Sequence, residues 1–160
     1  MPSVRSALYN LLEHPGFREG VLWHTRHLSP NHTVFAEGER SHEVYLILAG
    51  NVRVVGNVNL DEHRQLHPGF SELGKGQLFG EMPLFDGEPR SATVVTLSDC
   101  ELAVMDGDRL MAFLDAHPEL GYPIYKELIH SMVGRLRQAN KRIFSLFAWG
   151  LKMRGIDQHL

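Results

Sequence analysis

Glu81 and Arg90 are the residues whose types and spacing suggest chemistry. They stand nine positions apart in GQLFGEMPLFDGEPRSATV, residues 76–94, where glycines, a short apolar run and a Pro-Arg-Ser turn interrupt segments that otherwise read as β-strand. The run EMPLF fits one helical turn whose first backbone N–H groups find no partner within the helix, and Gly80 lets that backbone approach a ligand closely. Unpaired N–H groups at a helix start attract an anion, and Gly87 and Pro89 turn the chain so that Arg90 returns to the same place. A phosphate fits between the helix start and the guanidinium. A carboxylate would repel that phosphate, so Glu81 fits a neutral hydroxyl as its acceptor; a hydroxyl beside a phosphate describes a ribose phosphate. The other reading is that Glu81 and Arg90 pair with each other across a surface turn. Phe79, Leu84 and Phe85 are expected to anchor the segment in the core. An unfilled site of this kind leaves the guanidinium in water, so Arg90 is expected to matter for binding and hardly for stability.

Other reaction centres find little support. The ten histidines are scattered over the chain without the His-x-His pair and following Glu of cupin-type metal sites, and His63 and His67 flank an expected hairpin tip, where solvated histidine is usual. The single Cys100 forms no internal disulfide and supplies too few thiolates for an iron–sulfur cluster or structural zinc. GKGQLFG lacks the Lys-Ser/Thr ending of a P-loop, and its glycines miss the dinucleotide spacing by one. No Ser/His/Asp or Cys/His grouping stands out. Neither an enzyme nor a metal or cofactor is therefore expected.

Composition narrows the class further. With 19 acidic against 16 basic residues the net charge is −3, without the basic excess usual for a nucleic-acid binder. No apolar run approaches the roughly 18 residues of a membrane span. The start, MPSVRSALYNLLEHPG, lacks the pattern of a signal peptide, so a cytoplasmic location is expected.

The elements that must position Glu81 and Arg90 read as one domain with a β-rich middle. Leu8, Leu11 and Leu12 at helical spacing, stopped by Pro15-Gly16, predict an N-terminal helix within residues 3–14. HTVFAE, EVYLILAG, NVRVVGNVNL, SATVVTL and CELAVMD are short strands bounded by Gly, Pro, Asn or Asp, with Ala49-Gly50-Asn51 a tight turn. Several such strands predict a mainly β fold with flanking helices, a sandwich or jelly-roll barrel. Asp106 or Asp108 is the expected N-cap of a following helix with Leu110, Phe113 and Leu114 on one face. The last helix is expected from about Pro123 to Phe147. Its Tyr125, Ile129, Met132, Leu136, Ala139, Ile143 and Leu146 alternate steps of four and three; the stripe either packs on its own barrel or, since a helix of about 25 residues outruns a small barrel, forms a helix–helix seam, which predicts a homodimer.

FGEMPLFDGEPRSATV resembles the phosphate-binding cassette of the cyclic nucleotide-binding domains, through Phe79, Gly80, Glu81, Leu84, Pro89, Arg90, Ala92, Thr93 and Val94. VFAEGERSHEVYLILAGNVRVV is similar to the first strands of the same fold, and the resemblance spans about residues 28–147. It implies a β jelly-roll barrel over residues 28–105 with C-terminal helices over 106–147, between an N-terminal helical segment, 1–27, and a tail, 148–160. It also implies that Arg90 holds the cyclic phosphate, Glu81 takes the ribose 2′-hydroxyl and the Gly80 backbone lies nearby, with Met82, Ser91 and Ala92 completing the binding segment. By similarity to the catabolite-activator branch of the family, Ala139 and Asn140 come near the base. The implied ligand is cAMP ahead of cGMP, with a dinucleotide messenger left open, and the implied role is a regulatory sensor acting on an unidentified effector protein. A barrel that has lost its nucleotide and binds protein is the alternative. SLFAWGLKMRGIDQHL is too short for a helix-turn-helix domain, so DNA binding is not expected. Trp149, Lys152 and Arg154 in that tail suit docking on the barrel or on a partner protein, with a membrane surface ranked behind both.

Overall fold

The computed structural model describes residues 6–56, 58–61, 64–66 and 69–155. Along the chain these form α1 (Ala7–Glu13), β1 (Trp23–Leu28), β2 (Thr33–Phe35), β3 (Glu43–Ala49), β4 (Val52–Val55), β5 (Val58–Asp61), β6 (Arg64–Leu66), β7 (Gly69–Leu73), β8 (Leu78–Phe79), α2 (Met82–Asp86), β9 (Thr93–Thr96), β10 (Cys100–Asp106), α3 (Gly107–Ala116) and α4 (Pro118–Met153). The chain divides into two units, residues 1–121 and 122–160.

In the first unit, β1-β10-β3-β8 form one antiparallel sheet and β2-β9-β4-β7 a second, while β5 and β6 pair as a separate hairpin. Among the described residues no ladder joins the edges of the two large sheets. The fold is the expected mainly β, jelly-roll-like one with flanking helices, built as a pair of sheets that do not close into a barrel. Side chains alternate across each strand, so Tyr45, Ile47, Leu102 and Val104 of one sheet meet Phe35, Val52, Leu73 and Val94 of the other in a single core. Val44, Leu46, Ala103 and Met105, on the opposite face of β3 and β10, are buried too. That two-faced burial explains why EVYLILA reads as a nearly continuous apolar run.

Local chemistry sets the boundaries. Ser6 caps α1 by accepting from the Leu8 N–H at 3.2 Å, and the Tyr9 hydroxyl donates to the Ile47 carbonyl at 3.4 Å. Gly50, at φ +90°, makes the turn from β3 to β4 where a Cβ would strike the Asp99 carbonyl. Asp106 is the cap of α3, accepting from the Arg109 N–H at 3.0 Å. Three readings need correction. WHTRHL is strand β1 and not part of an N-terminal helical segment; as the edge of its sheet it is only half-buried, so it shows no apolar alternation. The last helix starts at Pro118, where the missing N–H of proline does no harm, and carries Pro123 inside it. It continues past Phe147 to Met153, so most of the expected tail is helix. His63 and His67 lie outside the described residues.

Candidate functional site

The segment between β8 and β9 forms one corner of the first unit. Gly80 follows β8 at φ +82°, a left-handed conformation that L side chains adopt only with strain. A Cβ there would also lie 3.0 Å from Arg90 Nη1 and 3.2 Å from the Glu43 carbonyl oxygen. Glycine is thus required twice, for the turn and for room beside the guanidinium. Glu81 then begins the single turn of α2, which Gly87 ends at φ +69° while donating its N–H to the Pro83 carbonyl at 3.0 Å. The turn seats Pro83 in the interior and leaves Phe85 half exposed, so Phe85 is not the core anchor expected of it. Leu84 rests beside Gly107 at the start of α3, where a Cβ would strike it and the His42 carbonyl.

Both candidate charged residues are interior: Glu81 is 1% and Arg90 3% exposed. The Arg90 backbone is clamped, its N–H donating to Glu39 and its carbonyl accepting from the Gly38 N–H, each at 2.8 Å. Its side chain runs inward. Nη1 donates to the Gly80 carbonyl at 2.6 Å and Nη2 to the Glu43 carbonyl at 2.7 Å. The guanidinium carbon sits 4.1 Å from the centroid of Phe35, a cation–π contact of about 0.5–2 kcal/mol. Phe35, Tyr45 and Phe79 form one aromatic floor, with Tyr45 and Phe79 stacked at 5.0 Å.

The expectation that an unfilled site leaves Arg90 in water is overturned. An aromatic floor and two inward-facing carbonyls replace water around the guanidinium. Burial pushes the Arg90 pKa down, opposed by Tyr45, Glu43, Glu39 and Glu81. Arg90 Nε is buried and has no hydrogen-bond partner among the described residues. The same corner raises the Tyr45 pKa to about 12, by burial first and then by the phenol's 2.7 Å hydrogen bond to Glu43.

The structure brings Gly80, Glu81, Met82, Arg90, Ser91 and Ala92 into this one corner. Met82 and Ser91 form its exposed rim, with the Ser91 hydroxyl 3.8 Å from the Met82 sulfur, and Ala92 is half-buried behind them. Asn140 lies in the second unit, exposed on α4. Sequence reasoning missed Phe35, Tyr45 and the Glu43 carbonyl. Phe35 was legible as a strand residue, yet nothing local says that it lies under an arginine 55 positions later. Among the described residues no group of three or more His, Cys, Asp or Glu could hold a metal ion, and no helix is long and apolar enough to cross a membrane.

Comparison with known proteins gives this corner a context. The sequence profile described as Cyclic nucleotide-binding domain matches residues 25–117, more than half of the chain. A CRP-like cAMP-activated global transcriptional regulator of Mycobacterium tuberculosis is 30% identical over 145 residues, covering 91% of this chain and 56% of that protein. The chain thus spans less than two thirds of the length of the curated relatives it matches. A cyclic nucleotide-binding domain from Methylobacillus flagellatus superimposes with a TM-score of 0.68 at 27% identity, over 77% of this chain and 67% of that one. The c-di-GMP responsive global regulator CLP of Xanthomonas campestris does so with a TM-score of 0.61 at 26% identity, over 76% and 60%. The corner that buries Glu81 and Arg90 lies within the matched residues, and the chain belongs to the cyclic nucleotide-binding domain family.

Proposed function

We propose that this chain binds a cyclic nucleotide, cAMP ahead of cGMP, at the corner formed by residues 80–92, and acts as a regulatory module that performs no chemistry on its ligand. The observation that carries the reading is the buried guanidinium of Arg90, which has two carbonyl acceptors and an Nε–H without a partner among the described residues. A buried, incompletely satisfied cation raises the free energy of the empty state, and an anion placed against it relieves that cost. A cyclic phosphate supplies the anion. Glu81, at the head of α2, then accepts from the ribose 2′-hydroxyl, and the Gly80 backbone lies against the ring. Ser91, on the exposed rim, is the candidate for reading the base edge, and a phosphate that draws on Arg90 shifts the population of the corner toward its liganded arrangement.

The preference for cAMP rests on similarity to a cAMP-activated regulator; similarity to a c-di-GMP responsive one makes a dinucleotide the second candidate. A homodimer through α4 completes the reading. Ile129, Leu136, Ile143 and Leu146 of its four-and-three stripe are exposed, and a second copy is the simplest surface to cover them. The inward packing of Arg90 also suits a domain that binds protein without nucleotide. Thermal unfolding with cAMP, cGMP and c-di-GMP separates the two readings. Ligand at a hundredfold over its Kd adds about 2.7 kcal/mol and raises Tm by roughly 5–10 °C in a chain of this size. A Tm that none of the three moves at millimolar concentration leaves the protein-binding reading in place.

A further inference from the structure

We infer that the C-terminal half of α4 is a docking surface for an anionic lipid membrane, lying in the headgroup plane and not crossing it. The first observation is charge. Between Glu127 and Asp157 there is no acidic residue, while Arg135, Arg137, Lys141, Arg142, Lys152 and Arg154 supply six positive charges. The rest of the chain is left with ten basic against nineteen acidic residues. The positive charge is therefore concentrated on one element of a chain that is acidic elsewhere.

The second observation is where the apolar side chains stand. On a helix of about 3.6 residues per turn, Leu136, Ile143, Phe144, Leu146, Phe147 and Met153 fall within about half of the circumference, and each is more than half exposed. Arg137, Lys141, Arg142 and Lys152 fall in the other half, with Trp149, also exposed, beside Arg142. An apolar face rich in Phe and Leu opposite a Lys/Arg face is the distribution of a helix that lies in a membrane interface, its apolar side among the acyl chains and its cations on lipid phosphates. No helix among the described residues is long and apolar enough to span a bilayer, so it rests on the surface.

Two other occupants fit less well. Duplex nucleic acid would use the cations but leave the wide apolar face in water. A second copy would cover the seam through Ile129, Leu136 and Ile143, and with it Phe147, about five turns above Ile129, whereas Phe144 lies to one side of that line and remains on the outside of a two-helix pair. Dimerisation through that seam takes up Leu136, Ile143 and Leu146, so a membrane and a second copy compete for the shared part of the face, and docking does not depend on nucleotide.

The test is co-sedimentation of the full chain, without nucleotide, with vesicles of roughly three parts phosphatidylcholine to one part phosphatidylserine, and with vesicles of phosphatidylcholine alone. The expected result is at least about tenfold tighter binding to the anionic vesicles, weakening as salt is raised. Arg137→Gln with Lys141→Gln should weaken binding by roughly fivefold per charge removed. Phe144→Ser should weaken it at least about tenfold while helical content by circular dichroism and oligomeric state by ultracentrifugation stay as in the parent. Three results would overturn the proposal. They are absence of binding to anionic vesicles at low salt, equal binding to both vesicle types, and dissociation of a dimer by Phe144→Ser, which would place a second copy on that ring. Salt-sensitive binding to duplex DNA with none to vesicles would also overturn it.

Discussion

The corner around Arg90 and the distal half of α4 break the usual burial pattern in opposite senses. In the first, Glu81 and Arg90 are 1% and 3% exposed; in the second, Phe144, Phe147 and Trp149 are each more than 60% exposed. Buried charge and grouped exposed apolar surface are the two departures that carry information, because an isolated exposed leucine or a buried valine is ordinary. The two departures also call for different partners. A buried cation with a spare donor asks for a small anion that fits the corner, whereas a wide apolar face asks for a surface. The first unit therefore reads as a ligand site, and the distal helix as an interface.

That comparison can be broken at either end, and the largest effect is expected in the helix. Replacing Leu136 and Ile143 with Glu puts two charges into the proposed α4 seam and should weaken dimerisation more than about a thousandfold, or ~4 kcal/mol. Sedimentation velocity then shows a monomer, and a parent that is itself monomeric at micromolar concentration contradicts the seam. The next effect belongs to Tyr45. An ordinary tyrosine in the unfolded chain ionises near 10.0 and the buried one near about 12, so the fold favours the protonated phenol. Stability is full below pH 10 and falls as pH rises toward 12, by up to about 3 kcal/mol at ~1.36 kcal/mol per pH unit. Tyr45→Phe has no proton to lose and should flatten urea-unfolding stability over that window. An equally steep decline in the variant would assign it elsewhere.

Arg90→Ala is expected to cost roughly 2 kcal/mol of stability without any ligand, since it strands the Gly80 and Glu43 carbonyls and empties the space over Phe35. An unchanged unliganded Tm would mean that the guanidinium spends its time in water after all. The smallest effect is expected from Glu81→Gln. An amide oxygen still accepts from a ribose hydroxyl, so affinity should drop by about tenfold, or ~1.4 kcal/mol. A loss as large as that of Arg90→Ala would give Glu81 more than a hydrogen-bonding role.

The legibility of these features follows the range of the interactions behind them. Elements fixed by local chemistry could be read directly: the cap at Asp106, the Gly50 turn, the α2 turn ended at Gly87, and the strand EVYLILA. The cassette residues could be assembled because their spacing is itself the signal. What escaped depends on partners far along the chain. WHTRHL gains its strand from β10, with Trp23 opposite Met105 and Leu28 opposite Cys100, and as an edge strand it carries little apolar pattern of its own. The fate of the Arg90 side chain is set by Phe35 and the Glu43 carbonyl, 55 and 47 positions away, so a local reading left it in solvent. The apolar stripe of α4 is visible in its periodicity, but the stop placed at Phe147 separates Ile143 and Phe144 from Met153 and hides the single apolar face they share.

The central claim, that Arg90 is held ready for a cyclic phosphate, is tested most directly by isothermal titration calorimetry of the parent and Arg90→Ala with cAMP and cGMP. Both proteins are titrated well below the Tm of the variant, so that its lower stability does not enter. Losing a two-pronged, charge-assisted contact in a buried corner costs about 2–5 kcal/mol, which is roughly a 30- to several-thousand-fold loss of affinity. The account predicts binding of cAMP by the parent, tighter than of cGMP, and a loss of that size in the variant. A variant that binds as tightly as the parent, or a parent that binds neither nucleotide at millimolar concentration, would contradict it.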